Sequence, residues 1–548
     1  MTKRGAPNGA SFHDAEPNVR SPGASSTSTG PAGSPTSPEV EVLICGAGPT
    51  GLVLALGLAR HGIRIRLVDH AEQPGGTSRA LVVHARTLEL YRQMGIAEAF
   101  MREGLAFTAI NLWVRGKQVG HVELGPIGRG LSPYPTVRIC AQDRHERFLI
   151  ERLHRLGIDV ERGVELLDCR QDPHGATARL RHADGREEIC RAAYLAGCDG
   201  AHSRVREVLG TGFPGGTYSH VFYVADVEAR GAVMNEQLHV ALDDADFLGI
   251  FPLRGGTTAR LIGTVLAEHE KDRESLGWEE VGGRAAGRLG IQVDKVNWFS
   301  TYRVHHRVAR HFRQDRVFLA GDAAHVHSPV GGQGMNTGIG DAANLAWKLA
   351  EVLRGKARPE ILGSYEPERR AFARRLVDTT DRAFVVATST TPWARFVRTR
   401  IVPRILPPLF RLLFVRRFMF RTISQIAIHY RGSPLSAGRL GRLHGGDRLP
   451  WVAAGGAGQA DNFDALDGLG WQVHVYGEVP AALDERCRRL GAELRRFAWR
   501  EAMARTGLTR NALIVVRPDG YIGFIGAGGE PEAALGYLEA LRAGRQAP

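Results

Sequence analysis

At 548 residues the chain is longer than one compact core can serve, so roughly two to four domains are expected. Its 43% hydrophobic and 24% charged residues, with no run of about 18 uncharged apolar residues, argue against a bilayer-spanning chain. The formal charge of +13 invites a polyanionic partner, so where that charge lies decides more than its sum.

Residues 1–38 are rich in Gly, Ser, Pro, Ala and Thr, lack an apolar signal core and read as a disordered leader. Val40 to Cys45 is a buried-strand pattern, and Gly46-Ala47-Gly48-Pro49-Thr50-Gly51 connects it to an apolar helix from Leu52 to His61. In such a turn Gly46 serves the tight bend, Gly48 lets a pyrophosphate approach the backbone, and Gly51 lets helix and strand pack. A second strand, Ile63 to Val68, is closed by Asp69, 18 residues after Gly51, where a carboxylate can accept from a ribose hydroxyl. An adenine dinucleotide is expected, although this segment does not divide NAD from FAD.

Two further motifs follow. Tyr194 to Arg206 closes a strand-like run and opens a helix, with Asp199-Gly200 at the turn; Asp199 serves a cofactor or caps that helix. Val317 to His325 holds Gly321-Asp322-Ala323-Ala324 and continues through Pro329 and Gly331-Gly332-Gln333-Gly334-Met335-Asn336 into a helix from about Thr337 to Leu353. His325 and His327 have poor ligand spacing and no acidic or cysteine partner nearby, so no metal is expected. The six cysteines form no C-x-x-C pair and read as buried thiols of a reducing cytoplasm.

In this order and at these separations the three motifs resemble the class A flavin-dependent aromatic hydroxylases, most closely the phenol hydroxylase and pentachlorophenol monooxygenase branch, over nearly everything from residue 39 onward. The resemblance implies bound FAD, NADPH or NADH as transient co-substrate, and O2. Gly46, Gly48 and Gly51 are similar to the pyrophosphate turn and Asp69 to the ribose acceptor. Arg79 resembles the arginine that reaches the pyrophosphate, Gln142 a glutamine near the ribityl chain, and Asp322 the aspartate that binds that chain. Pro329 sits where the family places a proline against the isoalloxazine. The backbone of Met335 and Asn336 would face flavin N1 and O2, and Asn336 needs its backbone more than its side chain. Asp199 belongs to a motif with a role toward both FAD and NAD(P)H.

Between about Phe213 and Phe299 the pattern changes to alternating strands, which fits an antiparallel sheet. In the family such a sheet roofs the flavin and supplies the substrate cavity. Phe251 and Pro252 are expected on a strand facing that cavity, with Tyr223, His239 and Tyr302 as polar candidates to hold or deprotonate a phenol. From Arg395 to Arg421 there are eight arginines and no acidic residue, interleaved with apolar side chains and broken at Pro403, Pro407 and Pro408. This reads as a basic helical arm packed on its own protein or on a second subunit, ahead of a membrane surface and further ahead of nucleic acid. The strands Gln472 to Tyr476 and Ala512 to Ile522 and a closing helix from about Glu530 to Arg545 resemble the thioredoxin-like appendage of the same branch. Without C-x-x-C it is expected to be structural or to support a homodimer.

The expected fold is therefore α/β: a Rossmann-like FAD-binding domain at 39–212 and 298–390, an inserted, mostly antiparallel β-sheet substrate domain at 213–297, the arm at 391–440 and a thioredoxin-like domain at 441–548. The implied function is a cytoplasmic monooxygenase that hydroxylates a phenolic ring through a C4a-hydroperoxyflavin. The alternative is a related flavin oxidoreductase or epoxidase acting on a polyketide or other non-phenolic substrate.

Overall fold

The run Val-Glu-Val-Leu-Ile-Cys forms the strand Val40–Cys45 near the centre of an eight-stranded sheet. It runs parallel to Ile65–Asp69 on one side and to Glu187–Gly197 on the other, with Val42 opposite both Ile65 and Tyr194. Val317–Leu319 continues the parallel order beyond Glu187–Gly197. Val42, Leu43 and Ile44 are fully buried, so both faces of the strand are covered; this explains an apolar run without alternation. The computed structural model describes residues 40–75, 80–242, 247–253, 255–265, 277–389, 391–456, 458–480, 482–529 and 531–542; the leader and Arg79 lie outside them.

The helix Pro49–Arg60 starts with proline at its first position, where no amide partner is lost. It stops at Gly62, whose φ of +70° permits the Gly62 N–H to reach Ala59 O and the Ile63 N–H to reach Leu58 O. Leu52, Val53, Leu54 and Leu58 have no exposed surface, and burying each contributes roughly 1.5–3 kcal/mol. At Gly57 a side chain would come within 2.8 Å of Ala346 Cβ, so glycine lets this helix cross the helix Gly334–Leu353 closely.

A second eight-stranded sheet has the order His325–Val326, Gln292–Val308, Gly215–Arg230, Thr258–Thr264, Phe247–Pro252, Leu238–Leu242, Ala109–Val114, Lys117–Glu123. Its pairs are antiparallel except Leu238–Leu242 with Ala109–Val114. The expected limits 213–297 are too narrow. Two strands come from 109–123, and Gln292–Val308 runs straight through the expected boundary. The physical reason is that strand pairing joins distant segments, and nothing local in 109–123 names its partner.

After residue 391 the chain forms the helices Pro392–Phe396, Val402–Leu409 and Leu413–Ile423, with one wider helical turn at Val397–Ile401. The final sheet has the order Ala492–Phe497, Trp471–Tyr476, Ala512–Val516, Ile522–Ala527; the first pair is parallel and the others antiparallel. One face, with Tyr476, Ile514 and Val516, closes over its own cluster. The other, with Val473, Leu513 and Val515, is continuous with the core of the first sheet. Trp347 and Trp471 meet edge to face at 5.5 Å across this junction. Beside them lies a fully buried ionic cluster: Arg517 donates to both Glu368 oxygens at 2.7 and 2.9 Å, and Lys348 Nζ donates to Glu368 Oε2 at 2.8 Å.

Candidate functional site

A cavity of about 650 Å³ lies where the glycine turn, the loop Asp322–Met335, the second sheet and the arm converge. The three turn glycines are needed for different reasons. Gly46 has φ +104°, and a Cβ there would stand 2.3 Å from Cys198 O; at Gly51 a Cβ would stand 1.9 Å from Gly46 O. Both are demanded by the protein itself. At Gly48 a Cβ would meet nothing within 4 Å, yet the residue lines the cavity, so no contact within the protein requires glycine there. Such a bare backbone, at the start of a helix with inward-facing amides, fits an anionic pyrophosphate. FAD therefore fits the residues present.

Asp69 anchors this turn: its Oδ2 accepts the Ala47 N–H at 2.6 Å and its Oδ1 the Ala71 N–H at 2.8 Å. Gln142 begins the helix Gln142–His154, lines the cavity and donates to Glu146 Oε1 at 2.7 Å. Asp199 is held by the chain: it accepts Ser203 Oγ–H at 2.5 Å and the Val205 N–H at 3.0 Å, and burial pushes its pKa up. Its neighbours Cys198 and Gly200 reach the wall.

Asp322 presents an exposed carboxylate to the cavity from the short turn Gly321–Ala323. That turn is fixed from behind by Asp341, which sequence reasoning missed. Its Oδ2 accepts the Gly321 N–H at 3.0 Å and pairs with His325 Nε2 at 2.7 Å; its Oδ1 accepts from Arg369 Nε at 2.6 Å. Burial alone would raise the Asp341 pKa, but Arg369 and His325 hold it below the usual carboxylate range. The signal was present: an aspartate within a helix whose neighbours are small or apolar must have a partner.

Pro329, Gly331, Gly332, Gly334 and Met335 line the cavity, with Gly331 and Gly332 at φ +78° and +61°. The helix Gly334–Leu353 has no acidic residue in its first turn, so its positive end is uncompensated by the protein. The Asn336 side chain has a structural part beside the role expected of its backbone. Its Oδ1 accepts the His84 N–H at 2.9 Å and Thr87 Oγ1–H at 2.7 Å, while Nδ2 donates to Val82 O and Gly332 O. The side chain ties the loop to the segment 82–87. His84 and His327 also line the cavity; burial lowers each to a pKa of about 4, so both rings are neutral near pH 7.

The five substrate candidates divide by strand parity. Leu238, Phe251 and Ile262 share one face of the sheet and line the cavity, joined across the register by Ile110. Tyr223 and His239 lie on the opposite face. Tyr223 stacks on Phe299 in the core behind the sheet. His239 accepts from Trp113 Nε1–H at 3.0 Å, pairs with Asn235 Oδ1 at 2.8 Å, and is lowered by burial to about 4. Pro252 also turns away, toward Val233 and Met234. Tyr302, opposite Phe222, is on the same face as Ile262 and packs in its cluster, but it is not among the residues that line the cavity. For Tyr223, His239 and Pro252 the reason is the two-residue period: a strand assigned correctly still places half of its residues on the wrong side.

The remaining wall was not expected. Leu406, Phe410, Met419, Phe420 and Ile423 of the arm close the cavity opposite the sheet. Phe420 rests directly on Gly128, where a Cβ would come within 2.2 Å of its ring. Among the described residues, the titratable ones that line the cavity, His84, Cys198, Asp322 and His327, belong to the loops around the glycine turn, whereas the sheet and the arm contribute apolar groups and Ser424.

Residues 39–380 match the FAD binding domain family. The chain is 38% identical to 6-methylpretetramide 4-monooxygenase of Streptomyces rimosus, over 73% of this chain and 71% of that protein. It is 33% identical to rifampicin monooxygenase of Streptomyces venezuelae, over 81% and 93%. The solved structure of OxyS anhydrotetracycline hydroxylase from Streptomyces rimosus aligns with a TM-score of 0.74 at 28% identity, covering 92% of this chain and 99% of that one. With a bare glycine turn opening on the cavity and these relatives, the chain belongs to the FAD-binding family of class A flavoprotein monooxygenases, oxidoreductases that use FAD and NAD(P)H.

Proposed function

We propose that the substrate is a polycyclic aromatic compound of the polyketide type and that one oxygen atom of O2 enters one of its rings. The overall change is substrate–H + O2 + NAD(P)H + H⁺ → substrate–OH + H2O + NAD(P)⁺. The observation that carries this reading is the substrate side of the cavity, where sheet and arm offer broad apolar surfaces and, among the described residues, no titratable group. A small phenolate needs a polar anchor. An extended fused-ring ligand gains affinity from apolar area alone, at roughly 25 cal/mol per Å² buried. The relatives named for action on 6-methylpretetramide and anhydrotetracycline support the same class.

The chemistry that FAD supplies when bound is acceptance of a hydride from NAD(P)H and activation of O2. The chain's part is to bind and orient. Gly48 and the start of the helix Pro49–Arg60 would take the pyrophosphate, Asp69 and Gln142 would support the ribose and ribityl portions, and Asp322 would accept from the ribityl hydroxyls. Pro329 would pack against the ring system, and the backbone amides of Met335 and Asn336 would meet its electron-rich edge. Phe251, Phe410 and Phe420 would exclude water and hold the substrate ring. The order and senses of the last sheet, followed by the helix Pro531–Arg542, support a thioredoxin-like reading for the C-terminal segment, with a structural role since Cys487 has no partner cysteine.

The test is NAD(P)H oxidation by the yellow holoprotein with naphthacene- and anthracene-type polyphenols against monocyclic phenols, with products weighed by mass spectrometry. Stimulation by a fused-ring compound and a product heavier by one oxygen atom is expected. Stimulation by monocyclic phenols only, or a product without added oxygen, overturns the reading.

A further inference from the structure

The arm has two faces, and only the inner one is explained by the cavity. On the outer face Trp393 is 70% exposed, Leu413 62%, Phe414 70% and Phe418 67%. Single exposed apolar residues are ordinary; four large ones within one short arm, three of them on the helix Leu413–Ile423, are not. The basic residues accompany them. Arg395, Arg400, Arg404, Arg411, Arg417 and Arg421 are exposed, and no acidic residue occurs between Arg395 and Arg421. On the helix Leu413–Ile423, Phe414, Arg417, Phe418 and Arg421 follow each other at helical spacing and form one exposed stripe, while Met419, Phe420 and Ile423 point to the cavity.

We propose that this outer face seats the enzyme on an anionic lipid surface, with Trp393, Phe414 and Phe418 entering the headgroup boundary and the arginines meeting lipid phosphates. Charge selects the partner class. A symmetric contact between two copies would set this arginine cluster against its own counterpart without a carboxylate on either side, which like-charge repulsion opposes. An acidic protein would need pockets matching each aromatic side chain. A bilayer accepts apolar groups of any shape and is the medium for helices with arginines among aromatic and aliphatic residues. The segment needs no spanning helix, and none of the described helices is long and apolar enough to be one. Because the opposite face of the same helices walls the cavity, a lipid-seated arm places that wall beside a phase into which apolar compounds partition.

The experiment is co-sedimentation of the full-length holoprotein with vesicles of phosphatidylcholine alone or with 30 mol% phosphatidylglycerol (roughly a moderately anionic membrane surface). Most of the protein is expected to pellet with anionic vesicles at low salt, and little with neutral vesicles or at about 0.5 M salt. Phe414→Ala/Phe418→Ala and Arg411→Glu/Arg417→Glu should each weaken binding at least about tenfold while retaining wild-type flavin absorbance, which shows that the variants fold. Equal recovery in the supernatant with both vesicle types overturns the proposal. So does a vesicle-free dimer in analytical ultracentrifugation that the Phe414→Ala/Phe418→Ala variant dissociates, since the face would then be a subunit contact.

Discussion

At the scale of single residues, the glycine turn separates what the fold needs from what the ligand needs. Gly46→Ala and Gly51→Ala drive a Cβ into backbone and should cost roughly 2–4 kcal/mol in denaturant unfolding of the apoprotein. Gly48→Ala meets no protein atom, so apoprotein stability should move by less than about 0.5 kcal/mol. Its FAD affinity, followed by flavin fluorescence, should still fall at least tenfold. Equal losses at all three positions would refute the division. Buried histidines set a pH dependence. His84 and His327 fall from about 6.5 to about 4 on burial, so between those pH values the unfolded chain binds more protons and stability drops as pH falls. Each ring accounts for at most roughly 3 kcal/mol by pH 4. Thermal melts at pH 7 and pH 5 should show a smaller loss for His84→Gln than for the wild type.

At the scale of elements, the arm's inner and outer faces should behave differently in a vesicle-free assay. Phe410→Ala removes part of the cavity wall and should raise the KM for the aromatic substrate about tenfold with KM for NAD(P)H unchanged, whereas Phe418→Ala should leave both unchanged. Steady-state kinetics with each substrate varied decides this. The turn, its strands and the helix Gly334–Leu353 were legible because each is local: Gly46, Gly48, Gly51 and the run from Gly331 to Asn336 encode their conformations within a few residues. The parity of Tyr223, His239 and Pro252 was not, since the face of a strand is fixed by distant neighbours. The arm's arginines drew attention to charge, while its cavity role rests on Leu406, Phe410 and Phe420, whose partners, such as Gly128, lie nearly 300 residues earlier.

At the scale of the whole molecule, the C-terminal sheet and the flavin-binding core are joined by Trp347 with Trp471 and by Glu368 with Arg517 and Lys348. Glu368→Ala leaves buried Lys348 without its counter-ion and Arg517 with Asp519 alone, and should cost about 3–5 kcal/mol, whereas a buried ionic cluster replaced entirely by apolar residues would cost far less. Urea unfolding of Glu368→Ala and of Glu368→Leu/Arg517→Met/Lys348→Met/Asp519→Asn, which leaves no member of the cluster charged, separates these cases; equal losses would show that packing dominates. None of this coupling was legible, because a glutamate in a helix with charged neighbours looks solvated until its partners, Arg517 149 residues later among them, fold over it. The same coupling limits how such enzymes can exchange parts. A chimera of two relatives joined near residue 440 would inherit Glu368 and Lys348 from one parent and Arg517 from the other. Recombination at that loop can succeed only between parents that kept the same charge arrangement, so the C-terminal segment is inherited together with the helices it rests on.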